Sequence, residues 1–285
     1  MERCRLPLRQ RENRRADRGI LCAGSKAAPF TDSDGSGYSL AKKLGHRLIP
    51  VLPVLVQLQC EGDFFRSVSG VRADGEVSVW SDGTCIAKDR GEIQLAAYGI
   101  SGIPVFQVSR YVSRLLYEKK SPSAVLDFLP DFTAEQTKAF LKARANTRPE
   151  KPASMFLIGL FHKKLSDLWV KMAGIPREKK AADLTEKEIS LLTDLIKELC
   201  VRVTGTNSFE QAQVCCGGID TREVDQKTME SLLVPGLHFA GEILDVDGMC
   251  GGYNLQWAWA SGYAAGKAAA TWTGMKNKSS DIPSE

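Results

Sequence analysis

The sequence has few histidines, His46, His162 and His238, and none of its eight cysteines is spaced as CxxC. That spacing argues against a zinc ribbon or a thioredoxin-type redox pair, both of which need thiols brought together over a short turn. No metal site is expected. The adjacent Cys215 and Cys216 read as strand packing, and a chain of this length without an export signal is expected to keep its thiols reduced in the cytoplasm. Long apolar runs are also lacking: a membrane span needs about 20 residues. Residues 51–58 are too few, and 255–272 are interrupted by Gln256, Ser261 and Lys267. No membrane partner is expected.

Neither sign of charge dominates, with 38 Lys and Arg against 34 Asp and Glu and a net charge of +4. A nucleic-acid partner would require a localised basic patch. The one patch is N-terminal, where Arg3, Arg5, Arg9, Arg11, Arg14, Arg15 and Arg18 crowd a stretch without apolar periodicity. Gln10, Glu12 and Asn13 occupy the place where a signal peptide has its apolar core. Glu2, Glu12 and Asp17 weaken a nucleic-acid or transit role, so residues 1–15 read as a solvated basic tail. What remains is a globular chain, 43% hydrophobic and 285 residues long, enough for one large domain or two moderate ones.

Residues 19–23 (GILCA) read as a buried strand ended by Gly24, and 36–44 as a helix stopped by Gly45. Residues 51–58 begin a strand-rich region in which Asp74-Gly75 and Asp82-Gly83 are hairpin-turn signals. Pro104 suits the first turn of a helix with Val105, Val108, Val112 and Leu115 on its apolar face. From 132 to 200 the signals are helical. Capping boxes stand at Thr133/Gln136 and Thr185/Glu188, apolar faces at 155–161 and 165–170, and a third face runs from Leu191 to Leu199. Strands return at 201–203, 213–215 and 237–240, the last after a Pro235-Gly236 turn.

The chemistry concentrates in 236–266, GLHFAGEILDVDGMCGGYNLQWAWASGYAAG. It reads as strand, acidic glycine-rich loop and helix. The helix, expected over 254–272, carries Ala258, Gly262, Ala265, Gly266 and Ala269, small residues that permit close approach of a sheet or a flat ligand. Gly251 and Gly252 leave backbone N–H groups open at its N-terminus, where negative charge is stabilised. A reduced flavin carries such charge, and Glu242 and Asp245 are suited to ribityl or ribose hydroxyls. On the other reading Gly248, Gly251 and Gly252 form an ordinary loop with Glu242, Asp245 and Asp247 solvated. Cys250 is either a reactive thiol or a small buried residue. The histidines read as packing or surface residues, and no catalytic residue is identified.

This block resembles the C-terminal FAD-binding signature of the BaiN-like, or aminoacetone-oxidase-like, NAD(P)/FAD-dependent oxidoreductases of bacteria. Three further segments resemble the same family in the same order: CAGSKAAPFTDSDGSGYSLAKKLGH from Cys22, GEIQLAAYGISGIPVFQVSR from Gly91 and AQVCCGGIDTREVDQKTMESLLVPGL from Ala212. The resemblance implies an α/β fold, a Rossmann-like FAD-binding domain interrupted by an inserted antiparallel β-barrel with a helical subdomain. It divides the chain into a tail (1–15), cofactor-domain parts (16–50 and 236–275), the β insert (51–130), the helical subdomain (131–200), a return and linker (201–235) and a disordered tail (276–285). The strands of 20–23 and 237–240 should then lie side by side. Ala23 and Gly24 would pass the FAD, and Gly241, Glu242, Asp245, Gly248, Gly251, Gly252, Tyr253, Asn254 and Leu255 would form its flavin and ribityl site. Cys22 and Ser25 are mild departures from the family pattern.

The activity so implied is hydride transfer from NAD(P)H through FAD to a small organic substrate or to oxygen. The family's opening strand, GxGxxG turn and helix have no counterpart before Gly19. In Gly35-Ser36-Gly37 the third glycine is replaced by Leu40. Roughly 130 to 170 residues, about one αβ domain, are therefore expected to be lacking. A reading of another class follows: a non-catalytic remnant or binding fragment without its first FAD anchor.

Overall fold

The computed structural model describes residues 16–271. The basic tail 1–15, Trp272 and the tail 276–285 lie outside the described residues. The chain opens with β1 (Gly19–Leu21), α1 (Ser36–Lys43), β2 (Leu48–Val54), β3 (Leu58–Cys60) and the short α2 (Phe65–Val68). Next come β4 (Arg72–Ser81), β5 (Thr84–Ala96), β6 (Gly99–Ser101), α3 (Ile103–Tyr117) and β7 (Ser123–Asp127). Four helices follow, α4 (Ala134–Thr147), α5 (Ala153–Phe156), α6 (Lys163–Met172) and α7 (Glu186–Lys197). The chain returns through β8 (Leu199–Thr206), β9 (Val214–Ile219) and β10 (Leu237–Phe239) to α8 (Tyr253–Thr271).

Strands β1 and β10 pair in parallel, Gly19 opposite Leu237 and Leu21 opposite Phe239. The side-by-side arrangement expected of these segments holds, although β1 stops at Leu21 and leaves Ala23 and Gly24 in the loop beyond it. Tyr38 and Ala41 of α1, Ile219, Phe239, Ile243 and Ala265 of α8 form one core around this pair. Gly37 lets α1 settle there: a Cβ at that position would stand 2.7 Å from Ile243 Cδ1 and 2.9 Å from the Ala23 Cβ.

Six antiparallel strands hydrogen-bond in the order β3-β6-β5-β4-β7-β8, and the β3–β8 pairing closes the sheet on itself. Closure leaves no unpaired edge along the ring. Val77, Val79, Ile93, Leu95, Leu126, Val201 and Val203 alternate into its interior. Helix α3 buries Val105, Val108, Val112 and Leu115, the face its periodicity predicts. The same core continues into the helices, where Trp169 meets Phe128 and Phe161 edge-on at 5.2 and 4.7 Å. Both capping boxes form, Thr133 with Gln136 and Thr185 with Glu188.

Four local expectations are corrected. Asp74-Gly75 is not a turn but the middle of β4, where a Cβ on Gly75 would come 2.6 Å from the Asp127 carbonyl of neighbouring β7. Glycine serves interstrand approach there, whereas Asp82-Gly83 does make the β4–β5 turn. Residues 51–58 are not one strand: Leu55 takes a left-handed φ of 50° and breaks the run. Strand β2, with Pro50 and Pro53 unable to donate, pairs with β9 alone in a two-stranded ribbon, while β3 joins the closed sheet. The helix expected at 155–161 ends at Phe156, before Gly159 at φ 88°. Leu199 opens β8 and lies beyond the end of α7.

Candidate functional site

The loop after β1 and the loop after β10 leave the same end of a parallel pair, so they converge. Ser25, fully buried, donates its hydroxyl to Glu242 Oε2 at 3.0 Å and accepts the Ala27 N–H at 3.2 Å. Ser33 closes the first loop by donating to the Ser25 carbonyl at 2.8 Å. After β10 the chain makes a single 3-10 turn over Gly241–Ile243. The Gly241 N–H donates to Ser261 Oγ at 2.9 Å, and Trp257 Nε1 donates to the Gly241 carbonyl at 3.2 Å. Two side chains one turn apart on α8 therefore fix the loop to the helix.

These loops, the start of α8 and the end of β2–β9 enclose a cleft of about 640 Å³, within the range of small-molecule sites. Of the expected site residues, Gly24, Gly241, Glu242, Gly251, Gly252, Asn254 and Leu255 line it. The other four stand elsewhere. Ala23 lies under α1 beside Gly37. Asp245 accepts the Gly217 N–H on Oδ1 at 2.9 Å, tying the loop to β9. Gly248 is latched to Asn254, its N–H donating to Oδ1 at 2.7 Å and its carbonyl accepting from Nδ2 at 3.1 Å. Tyr253 is exposed.

Leu55, Gln213, Val214 and Met249 line the cleft without a sequence signal. Leu55, Gln213 and Val214 reach it because β2 and β9 pair across a long intervening stretch of chain, a contact no local pattern announces. Cys22, Cys250, Ala258 and Gly262 also line it. Cys250 is held at both ends: its N–H donates to Gln107 Oε1 at 3.1 Å and its thiol to Gln213 Oε1 at 3.8 Å. Asp247 accepts from Arg110 through carboxylate and carbonyl together, which fastens the 244–252 loop to α3.

Burial raises the Glu242 carboxyl above its ordinary value, opposed by the Ser25 hydrogen bond. Burial likewise raises the Tyr38 hydroxyl, which donates to the Glu242 carbonyl at 3.4 Å. The Cys215 and Cys216 thiols are also pushed up by burial, so they remain protonated and act as packing groups. The helix end opposite these groups is bare. Gly251 and Gly252 have φ of 121° and 94°, and a Cβ on Gly252 would meet nothing within 4 Å. The first N–H groups of an α-helix have no acceptor within it, so α8 offers them toward the cleft across glycine backbone.

The histidines are structural. His46 is buried between Glu223 Oε2 at 3.0 Å and Ser231 Oγ at 2.9 Å, His238 Nδ1 lies 3.0 Å from the Thr228 carbonyl, and His162 caps α6. Among the described residues no helix is long and apolar enough to cross a membrane, and no three His, Cys, Asp or Glu side chains converge as metal ligands.

The chain is 45% identical over 255 residues to the 3-dehydro-bile acid delta(4,6)-reductase of Clostridium scindens, an alignment covering 90% of this chain and 62% of that protein. It is 33% identical over 247 residues to the ribosomal RNA dihydrouridine synthase of Haemophilus influenzae, covering 86% of this chain and 58% of the relative. The Escherichia coli protein of the same name is 29% identical over 248 residues, with the same coverage of 86% and 58%. The chain thus spans about six tenths of the length of these curated relatives. The family model described as HI0933-like protein Rossmann domain matches residues 1–268. The chain belongs to that Rossmann-domain family, as the resemblance of its glycine-rich C-terminal block implied.

Proposed function

We propose that this chain is part of an FAD-dependent oxidoreductase and that the cleft between the β1 and β10 loops and α8 is its flavin side. One observation carries the reading: Gly251 and Gly252 line the cleft at the α8 N-terminus, with open space where a Cβ on Gly252 would stand. A flat ring can lie against such a surface, and the helix N–H groups offset negative charge on it. The residues present therefore fit a flavin, which supplies two-electron redox chemistry when bound. Glu242 faces the same cleft with a raised carboxyl, suited to hydrogen bonding with ribityl hydroxyls. Asp245 serves the site by positioning the loop through Gly217. The closed sheet with its helices is, on this reading, an insert between the two cofactor-domain parts.

The electron donor is NAD(P)H, and the acceptor is a small organic molecule or oxygen. The names of the relatives point both to a bile-acid derivative and to ribosomal RNA. We follow the relative at 45% identity in assigning a small-molecule substrate.

The test is the colour of the purified chain. A competent flavin site shows flavin absorption bands, or gains them with quenched flavin fluorescence when FAD is added. Colourless protein that takes up no added FAD would favour the non-catalytic remnant instead.

A further inference from the structure

Basic residues of the helical region fall into two groups. Lys138 and Lys142 of α4 both pair with Glu186, Arg177 pairs with Asp167, and Lys179 pairs with Glu188. Arg144, Arg148 and Lys151 are in no ion pair among the described residues. These three stand at i, i+4 and i+7 where α4 ends, and the Lys151 N–H donates to the Arg148 carbonyl at 3.2 Å to continue the turn. Together with Phe140, Thr147 and Phe156 they line a cavity of about 410 Å³, large enough for a small ligand. No carboxylate lines it, and none of its residues lines the cleft at α8.

Arg144 is fixed in place. Its Nε donates to the Phe156 carbonyl at 2.8 Å and its Nη2 to the Ile158 carbonyl at 2.7 Å, while Nη1 has no acceptor among the described residues. Carbonyls hold the guanidinium without cancelling its charge. The C-terminus of α4 supplies about half a negative charge, too little for three cations gathered around one concave space. Such a space concentrates anions. A carboxylate brings one charge, whereas a phosphate monoester brings nearly two and takes guanidinium donors along its edge. Phe140 leaves its ring half exposed at the cavity wall, 6.4 Å from that of Phe132, and offers a flat apolar face beside the cations.

We propose that this cavity is a second ligand site, which binds a small phosphate monoester with a flat aromatic body. The phosphate lies among Arg144, Arg148 and Lys151, and the body lies against Phe140. This site stands on the helices and does not rest on the flavin reading.

The test is calorimetric titration of the full chain with phenyl phosphate, benzoate, inorganic phosphate, benzyl alcohol and a single-stranded RNA dodecamer. Phenyl phosphate should bind, with benzoate and inorganic phosphate each about tenfold weaker or more and benzyl alcohol not measurable. Arg148→Gln and Lys151→Gln should each weaken phenyl phosphate about tenfold, the loss of one charged hydrogen bond. Phe140→Ala should weaken phenyl phosphate and leave inorganic phosphate unchanged, a split that general loss of structure would not produce. Far-ultraviolet circular dichroism of all three variants should match the parent. The ligand series on the parent alone decides the charge requirement. No binding of phenyl phosphate, equal binding of benzyl alcohol, or affinity untouched by both Arg148→Gln and Lys151→Gln would overturn the proposal. So would tighter binding of the RNA, weakened by the same variants, which would make the cavity part of a surface for a phosphodiester strand.

Discussion

Ser25 and Glu242 lie 217 positions apart in the chain, yet the Ser25 hydroxyl donates to Glu242 Oε2 at 3.0 Å. The bond joins the loop after β1 to the loop after β10, and the parallel pairing of those strands brings them together. A buried carboxylate with one hydroxyl partner is only partly compensated for lost hydration. Burial accordingly raises its pKa.

The sign of the resulting pH dependence follows from linkage. Below the ordinary glutamate value of 4.5 the carboxyl is protonated both folded and unfolded and contributes no difference. As pH rises from there toward the raised folded value, the unfolded chain gives up its proton first, so stability is lost. Glu242→Gln keeps an acceptor for Ser25 and removes the charge. The variant should melt at a higher temperature than the parent at pH 7 and alike at pH 4. A gap of equal size at both pH values would refute the burial account.

Gly252 tests the helix end. Its φ of 94° disfavours a β-branched residue, and it lines the cleft with open space where a Cβ would stand. On the flavin reading, Gly252→Val should weaken FAD retention by at least about tenfold. His162→Asn, which preserves a cap on α6 far from the cleft, should leave it unchanged. Equilibrium dialysis against FAD measures both. Retention intact in the first variant and lost in the second would move the site.

Gly37 tests the packing of α1. Helix propensity alone favours alanine over glycine by up to about 1 kcal/mol. The added Cβ, however, would stand 2.9 Å from the Ala23 Cβ, a neighbour with no rotamer to yield. Overpacking of this kind costs about 1–3 kcal/mol, so Gly37→Ala should lower the urea midpoint. A raised midpoint would show that α1 shifts freely.

Lys197 at the end of α7 holds Asp127 Oδ2 at 2.7 Å and also donates to the Leu129 and Phe132 carbonyls. Lys197→Met leaves three acceptors unmet and a carboxylate without its cation. The expected loss is roughly 3 kcal/mol by urea denaturation, with no change in ligand binding at the cleft. A loss below about 0.5 kcal/mol, the size of an exposed pair, would show that water replaces the amine.

How much of this was legible in the sequence differs from element to element. The α3 face, the two capping boxes and the Asp82-Gly83 turn depend on neighbours within four residues, so pattern alone was enough. The glycines before α8 were legible as open backbone at a helix N-terminus because both are local features. Asp74-Gly75 carries the same local signal as Asp82-Gly83 yet lies within a strand, because its glycine answers to a carbonyl on β7, distant in the chain. Leu55 shows the limit most plainly. Its sequence context is an unbroken apolar run, and only the divergence of β2 toward β9 and β3 into the closed sheet forces its left-handed turn. The sequence by itself determined which segments are helix or strand and where glycine opens the backbone, because those follow from short-range sterics and periodicity. The tertiary structure alone decided that Gln213, Val214, Leu55 and Met249 share a wall with Gly24, because that proximity comes from strand pairing across more than a hundred residues.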